Sequence, residues 1–216
     1  MNDPMYRMAI GAAVRDRLLA TPNVLKLPAE GLDLFVCRNF LTPAECGALI
    51  SRIDADRRPS TVLADDPDPE FRTSETCNLN PKDPLSRQIE TKITRLTGID
   101  PAHGEPIQGQ RYAPGQQFKC HHDFFYTSEP YWPEQERTGG QRTWTVMVFL
   151  NEPEAGGQTE FPEAKVKISP KPGNLLAWNN LDAVGEPNVQ SLHQGLPVEA
   201  GVKYIITKWY RERPWG

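Results

Sequence analysis

Two histidines and one carboxylate are the residues of this sequence best placed to do chemistry. His121, His122 and Asp123 follow one another in Lys119-Cys120-His121-His122-Asp123, and His193 stands apart in Gln190-Ser191-Leu192-His193-Gln194-Gly195. In an extended strand residues two apart share a side, so His121 and Asp123 would present an imidazole and a carboxylate together while His122 faces away. A second imidazole, brought by His193 on another strand, would complete two His and one carboxylate on one face of a metal. Such a triad leaves coordination positions open, which suits non-haem Fe(II) oxygen chemistry. By itself His-x-Asp is a weak signal, because strand histidines are often only hydrogen-bonded polar groups. The same ligands could also serve a zinc hydrolase or a metal-binding barrel without redox activity.

The surrounding residues are more specific. Tyr112-Ala113-Pro114-Gly115-Gln116-Gln117-Phe118 leads into the triplet, and Phe124-Phe125 follows it. Then come Arg142-Thr143-Trp144-Thr145 running to Leu150-Asn151, Gly156-Gly157-Gln158-Thr159-Glu160-Phe161-Pro162, and Ser191-Leu192-His193-Gln194-Gly195-Leu196-Pro197-Val198. Gly201-Val202-Lys203-Tyr204 and Thr207-Lys208-Trp209 close the series. In order and content these motifs closely resemble the prolyl 4-hydroxylases of the Fe(II)/2-oxoglutarate-dependent dioxygenases, firmly over about residues 105 to 212. Several motifs in sequence are far more specific than any one.

The resemblance implies a double-stranded β-helix, or jelly roll, with His121, Asp123 and His193 as iron ligands and catalytic centre. It implies Fe(II), 2-oxoglutarate and O2 as the reacting set, with ascorbate as an auxiliary reductant, and hydroxylation at C4 of a prolyl residue coupled to decarboxylation of 2-oxoglutarate to succinate. Lys203, ten residues after His193, would pair with the far carboxylate of 2-oxoglutarate. Tyr112 and Thr159 would donate hydroxyl hydrogen bonds to that same carboxylate, and Trp209 would share the pocket. An exposed strand lysine is the commoner case, but Ile205 and Trp209 fall on the same side of the strand as Lys203 and draw it inward. Arg142, Tyr126 and Arg72 would lie near the substrate, although an arginine at a barrel mouth can equally serve only a local ion pair. The presence of Asp123 favours hydroxylation over the halogenation of related enzymes that lack the carboxylate. A lysine anchor, where the nucleic-acid demethylases use arginine, disfavours that reading. A 2-oxoglutarate oxygenase acting on a non-prolyl substrate stays open.

Composition sets outer bounds. The 216 residues suffice for one domain, read here as helical support and lid over 1–104 and a jelly-roll oxygenase core over 105–216. A formal charge of −4 without a basic stripe argues against a nucleic-acid partner. Charges within Met1 to Ala20 argue against a membrane span or signal core. Cys37, Cys46, Cys77 and Cys120 form no C-x-x-C and read as reduced thiols. The expectation is a cytoplasmic enzyme acting on a proline-containing peptide or protein, as a monomer or homodimer.

The elements that must position the site follow from periodicity. Tyr6, Ile10, Val14 and Leu18 recur every four residues and predict a first helix ending before Pro22 and covering one face of a sheet. Thr42, Pro43 and Glu45 predict a capped helix to about Ala55 that buries Cys46, Leu49, Ile50 and Ile53. Asp83-Pro84 opens another, with Leu85, Ile89, Ile93 and Leu96 on one face and Gly98 as its stop. Residues 56–71 are polar, proline-rich and aperiodic, either a lid or a solvated excursion, and residues 125–140 form a second candidate lid. Residues 32–36 read as a strand leading into the Thr42-capped helix, and from Pro106 onward the period is two, with strands predicted at 108–112, 118–124, 143–150, 158–161, 165–168, 174–178, 189–193 and 202–211. His103, in a Pro-Ala-His-Gly turn, reads as surface.

Overall fold

Alternation along three long strands accounts for the architecture. In a computed structural model, which describes residues 3–62 and 68–216, fourteen strands are arranged in antiparallel sheets with four helices. The first four strands are β1 (Val24–Lys26), β2 (Leu34–Cys37), β3 (Arg58–Pro59) and β4 (Glu75–Asn78). Next come β5 (Gln108–Tyr112), β6 (Phe118–His121), β7 (Arg142–Phe149), β8 (Ala155–Gly156) and β9 (Thr159–Phe161). The series ends with β10 (Val166–Ile168), β11 (Leu175–Asn179), β12 (His193–Gly195), β13 (Val198–Ala200) and β14 (Lys203–Arg211). The larger sheet runs β1-β2-β11-β7-β14-β5-β4-β3, the smaller runs β10-β9-β12-β6, and β13 pairs with β8.

Along β7, Trp144, Val146 and Val148 point to one core while Met147 and Phe149 point to another. Strand β11 divides likewise, with Leu175 and Ala177 on one side and Leu176 and Trp178 on the other. The first core lies under three helices, α1 (Pro4–Ala20), α2 (Pro43–Asp56) and α3 (Pro84–Thr97). The second lies between the two sheets and takes Phe161 from the smaller one and Tyr112 and Ile205 from the larger. This sheet-on-sheet packing, with helices covering the outer face of the larger sheet, is the jelly roll expected.

The helix signals hold locally. Thr42 and Glu45 form the reciprocal capping box of α2. Asp83 caps α3, and Gly98 ends it with φ +75°, a conformation that costs other residues about 1–2 kcal/mol. Two buried stripes differ from expectation. Tyr6 is exposed and Arg7 is buried in its stead, because the Arg7 guanidinium reaches the Gly185 carbonyl and the Glu186 and Glu212 carboxylates. Ile50 is only partly buried, since the contact face of α2 is carried by Cys46, Leu49 and Ile53.

Two strands depart from prediction in ways that bear on the site. The strand expected at 118–124 ends at His121, leaving Asp123 in a bend. Residues 189–191 form a 3-10 turn capped by the Asn188 side chain, and the strand begins only at His193. A short helix, α4 (Trp132–Arg137), occupies the predicted lid at 125–140. Of the polar stretch 56–71, residues 63–67 lie outside the described residues. No helix among the described residues is long and apolar enough to cross a membrane.

Candidate metal centre and its two cavities

Strand pairing brings the two histidines together. His193 on β12 is the direct cross-strand partner of His121 on β6, and their rings lie 4.2 Å apart between centroids. Asp123, just past the end of β6, turns back so that its Oδ1 lies 3.8 Å from His121 Nε2 and its Oδ2 lies 3.7 Å from His193 Nε2. Among the described residues this is the one cluster of His, Cys, Asp or Glu whose donor atoms could close on an ion, all within 4.8 Å of one another. Alternation along a strand does not place Asp123, contrary to the sequence argument. The bend does, held by a hydrogen bond of 2.7 Å from the Thr145 hydroxyl to Asp123 Oδ2.

Each imidazole is fixed through its other nitrogen. His121 Nδ1 lies 2.8 Å from the Lys119 carbonyl, and His193 Nδ1 lies 3.0 Å from the Ser191 carbonyl. A carbonyl accepts only, so each Nδ1 carries the proton and each Nε2 offers a lone pair, the tautomer that metal ligation requires. Burial, together with the neighbouring His193, pushes the His121 pKa down to about 3. Burial alone would push the Asp123 carboxyl up, but His193, His121 and Arg142 and the Thr145 bond outweigh it and hold the group below the usual carboxylate range. The centre therefore presents two imidazoles, each with Nε2 turned inward, beside an ionised carboxylate, a donor set that fits a divalent cation.

Behind the triad lies an inner cavity lined by Tyr112, Thr159 and Lys203 among others. Lys203, Ile205, Thr207 and Trp209 all face it, so the alternation predicted for this strand is correct. Lys203 is only 2 % exposed. Among the described residues no carboxylate lies within ion-pair distance of it, and its ammonium sits 5.3 Å from the Tyr112 ring and 5.7 Å from the Phe149 ring. Desolvation without compensation pushes its pKa down to about 7. A buried cation in that condition calls for an anion, and a dicarboxylate reaching in from the metal would supply one. Gly157, with φ +70°, packs here because a Cβ at that position would meet Lys203 Cδ at 3.2 Å. The Tyr112 hydroxyl donates to Gln110 Oε1 at 2.6 Å, so it would have to leave Gln110 to donate to a carboxylate.

In front of the triad lies an outer cleft of about 790 Å³, which shares Phe118, His121, Asp123 and Trp209 with the inner cavity. Arg72, Tyr126 and Arg142 all border it. Arg142 makes a bidentate pair with Glu105, at 2.6 and 2.7 Å, and its guanidinium carbon stands 4.3 Å from the Trp209 ring. It therefore braces Trp209 and holds a partner of its own. Arg72 donates to Gln108 Oε1 and the Thr61 carbonyl and stacks on Phe118, while its buried Nε has no acceptor. Tyr126 is half exposed, its hydroxyl 2.8 Å from His122 Nδ1. His122 is not one of the three clustered donors, its ring nitrogens lying near the Tyr126 hydroxyl and the Val189 carbonyl. It lines the same outer cleft as His121 and Asp123 instead of facing away, and Cys120 is exposed. His103 departs from the surface reading, because its Nδ1 lies 3.2 Å from the Arg211 carbonyl.

Sequence reasoning missed Thr145, Asn180 and Glu105. A threonine on the β7 face that otherwise carries Met147 and Phe149 is a legible signal of a buried polar contact. Glu105 and Asn180 meet their partners only through the tertiary fold.

Comparison with known proteins follows the same line. Residues 107–211 match the family model described as the 2OG-Fe(II) oxygenase superfamily. Prolyl 4-hydroxylase 2 of Arabidopsis thaliana is 31% identical over 218 residues, covering 88% of this chain and 71% of that protein. The crystal structure of a viral collagen prolyl hydroxylase from Paramecium Bursaria Chlorella virus-1, a 2OG complex, superimposes with a TM-score of 0.65 at 29% identity, covering 82% of this chain and 94% of that one. A Pseudomonas putida prolyl-4-hydroxylase shares the fold with a TM-score of 0.60 at 20% identity, over 94% of this chain and 99% of that one.

Proposed function

From the premise that the chain belongs to the prolyl 4-hydroxylase family of Fe(II)- and 2-oxoglutarate-dependent dioxygenases, we propose that it hydroxylates C4 of a prolyl residue held within a peptide or protein. When bound, Fe(II) with 2-oxoglutarate and O2 supplies the oxidising power that converts 2-oxoglutarate to succinate and places one oxygen on the substrate carbon. His121, Asp123 and His193 would hold the iron. Lys203 would neutralise the far carboxylate of 2-oxoglutarate, with Tyr112 and Thr159 as hydroxyl donors to it and Trp209 as the wall between the two cavities. The single observation that carries this reading is the line from the uncompensated buried Lys203, past the three ligands, into a cleft of about 790 Å³ with room for a peptide.

Arg72 and Tyr126 would contact the peptide at the cleft rim, and Arg142 would serve it by bracing Trp209. Burial of the site matters to the chemistry, because water excluded from the inner cavity cannot compete for the reactive positions or screen the Lys203 charge. Four free thiols suit a reducing compartment, and we assign the enzyme to the cytoplasm, with ascorbate as its auxiliary reductant.

The test is direct. Purified protein, made anaerobic with Fe(II) and 2-oxoglutarate, should develop the weak visible charge-transfer band of the chelate. On admission of O2, succinate release should rise with proline-rich peptides, and mass spectrometry should find a gain of one oxygen on proline. A band without peptide stimulation would remove the prolyl assignment, and no band with tight zinc binding would remove the oxygenase assignment as well.

A further inference from the structure

Thr145 and Asn180 sit at the centre of a buried hydrogen-bond chain that ends on two of the three triad residues. Both are 0 % exposed. Asn180 Nδ2 donates to Thr145 Oγ1 at 2.9 Å, and Thr145 Oγ1 donates to Asp123 Oδ2 at 2.7 Å. A hydroxyl carries one proton. Because it accepts from the amide, its proton is committed to the carboxylate, and the reverse orientation of the amide would leave two acceptors facing each other.

The main chain of Asn180 extends the chain toward the distal histidine. Its carbonyl accepts from the Asn188 N–H at 3.0 Å, and its own N–H is held by the Thr143 carbonyl. The Asn188 carbonyl accepts from the Ser191 hydroxyl at 2.7 Å, and the Ser191 carbonyl faces His193 Nδ1. His121 is held separately, through Lys119 of its own strand.

We infer that Thr145 and Asn180 are positioning residues for the metal centre, which hold the Asp123 carboxylate by one oxygen and set His193 through the Asn180–Ser191 segment. This rests on the ligand assignment made above. With Oδ2 engaged, the carboxylate is restrained from rotating and Oδ1 is the oxygen free to ligate. Ligation through one oxygen keeps the other metal positions available to 2-oxoglutarate and O2. Buried partners of this kind are worth roughly 10–100-fold in metal affinity.

The experiment titrates Co(II) into metal-free full-length protein under anaerobic conditions and reads the visible d–d spectrum. It compares wild type, Thr145→Val, Thr145→Ser, Asn180→Ala and His121→Ala, with unfolding midpoints of each metal-free form. The expected result is a roughly 10–100-fold weaker affinity and an altered spectrum for Thr145→Val and Asn180→Ala, and near wild-type behaviour for Thr145→Ser. Wild-type affinity and spectrum in Thr145→Val would overturn the inference, as would a serine variant as weak as the valine one at equal fold stability. If Thr145→Val does not fold, wild-type binding by Asn180→Ala overturns it instead. Undiminished binding by His121→Ala would show that the ligand assignment itself had failed, a result distinct from the others.

Discussion

Replacing Lys203 by methionine should stabilise the ligand-free protein near neutral pH while weakening its hold on 2-oxoglutarate. The ammonium is buried without a counter-charge, and its pKa falls from the ordinary 10.5 to about 7. At about 1.4 kcal/mol per tenfold change in proton affinity, that displacement corresponds to a cost of order 5 kcal/mol carried by the folded state. Between pH 7 and 10.5 the unfolded chain keeps its lysine proton and the folded chain does not, so stability rises with pH across this window. From pH 7 to 9 the rise should be about 2 kcal/mol in the wild type, and Lys203→Met should lack it. Urea unfolding of both metal-free proteins at pH 7, 8 and 9 reads the difference directly. Calorimetry of 2-oxoglutarate binding to the Mn(II)-loaded protein, in two buffers of different ionisation enthalpy, should show uptake of about 0.9 proton at pH 8 and about 0.1 at pH 6. Parallel pH curves for the two proteins, or binding without proton uptake at pH 8, would refute the reasoning.

Substituting alanine for His121 or His193 should remove succinate release while circular dichroism and the unfolding transition remain cooperative, since neither ring fills the helix-backed core. Glu105 holds both Arg142 and the buried Arg211, so Glu105→Leu, which takes that carboxylate from two guanidiniums, should cost about 3–5 kcal/mol in denaturant titrations, whereas Arg142→Leu, which leaves Glu105 paired with Arg211, should cost less. At Gly157, alanine should cost about 1–2 kcal/mol from the positive φ and raise the KM for 2-oxoglutarate more than that for peptide, because the new methyl presses on the Lys203 stem. Steady-state kinetics with each co-substrate varied in turn checks the last point.

How far the sequence predicts this site differs residue by residue. The helices and long strands are legible because capping at Thr42, the stop at Gly98 and alternation in β7 and β14 are local signals that packing then reinforces. His121 and His193 are found from spacing and motif, and cross-strand pairing brings them together as expected. Asp123 is found for an incomplete reason. The strand stops two residues short of Asp123, and the carboxylate is aimed by Thr145, which stands 22 positions away. The bend at 189–191 escapes notice because the cap at Asn188 competes with strand pairing, and alternation does not report which wins. Glu105 and Asn180 carry no periodic signature at all. They matter through contacts 37 and 35 positions distant in the chain, which only the folded sheet brings about.

The direct pairing of His121 with His193 also bears on which ion the protein takes up. A site drawn together by its metal can favour the ion whose preferred geometry best rewards the rearrangement. Here the backbone ladder has set the spacing of the imidazoles before any ion arrives, and the third donor is already tethered. Two nitrogens and one oxygen held in advance will follow the intrinsic affinity order of divalent ions, in which Fe(II) stands below Ni(II), Cu(II) and Zn(II). Selection of iron then falls to the supply of free metal in the cell, and loading with zinc is the expected mode of inactivation whenever that supply shifts.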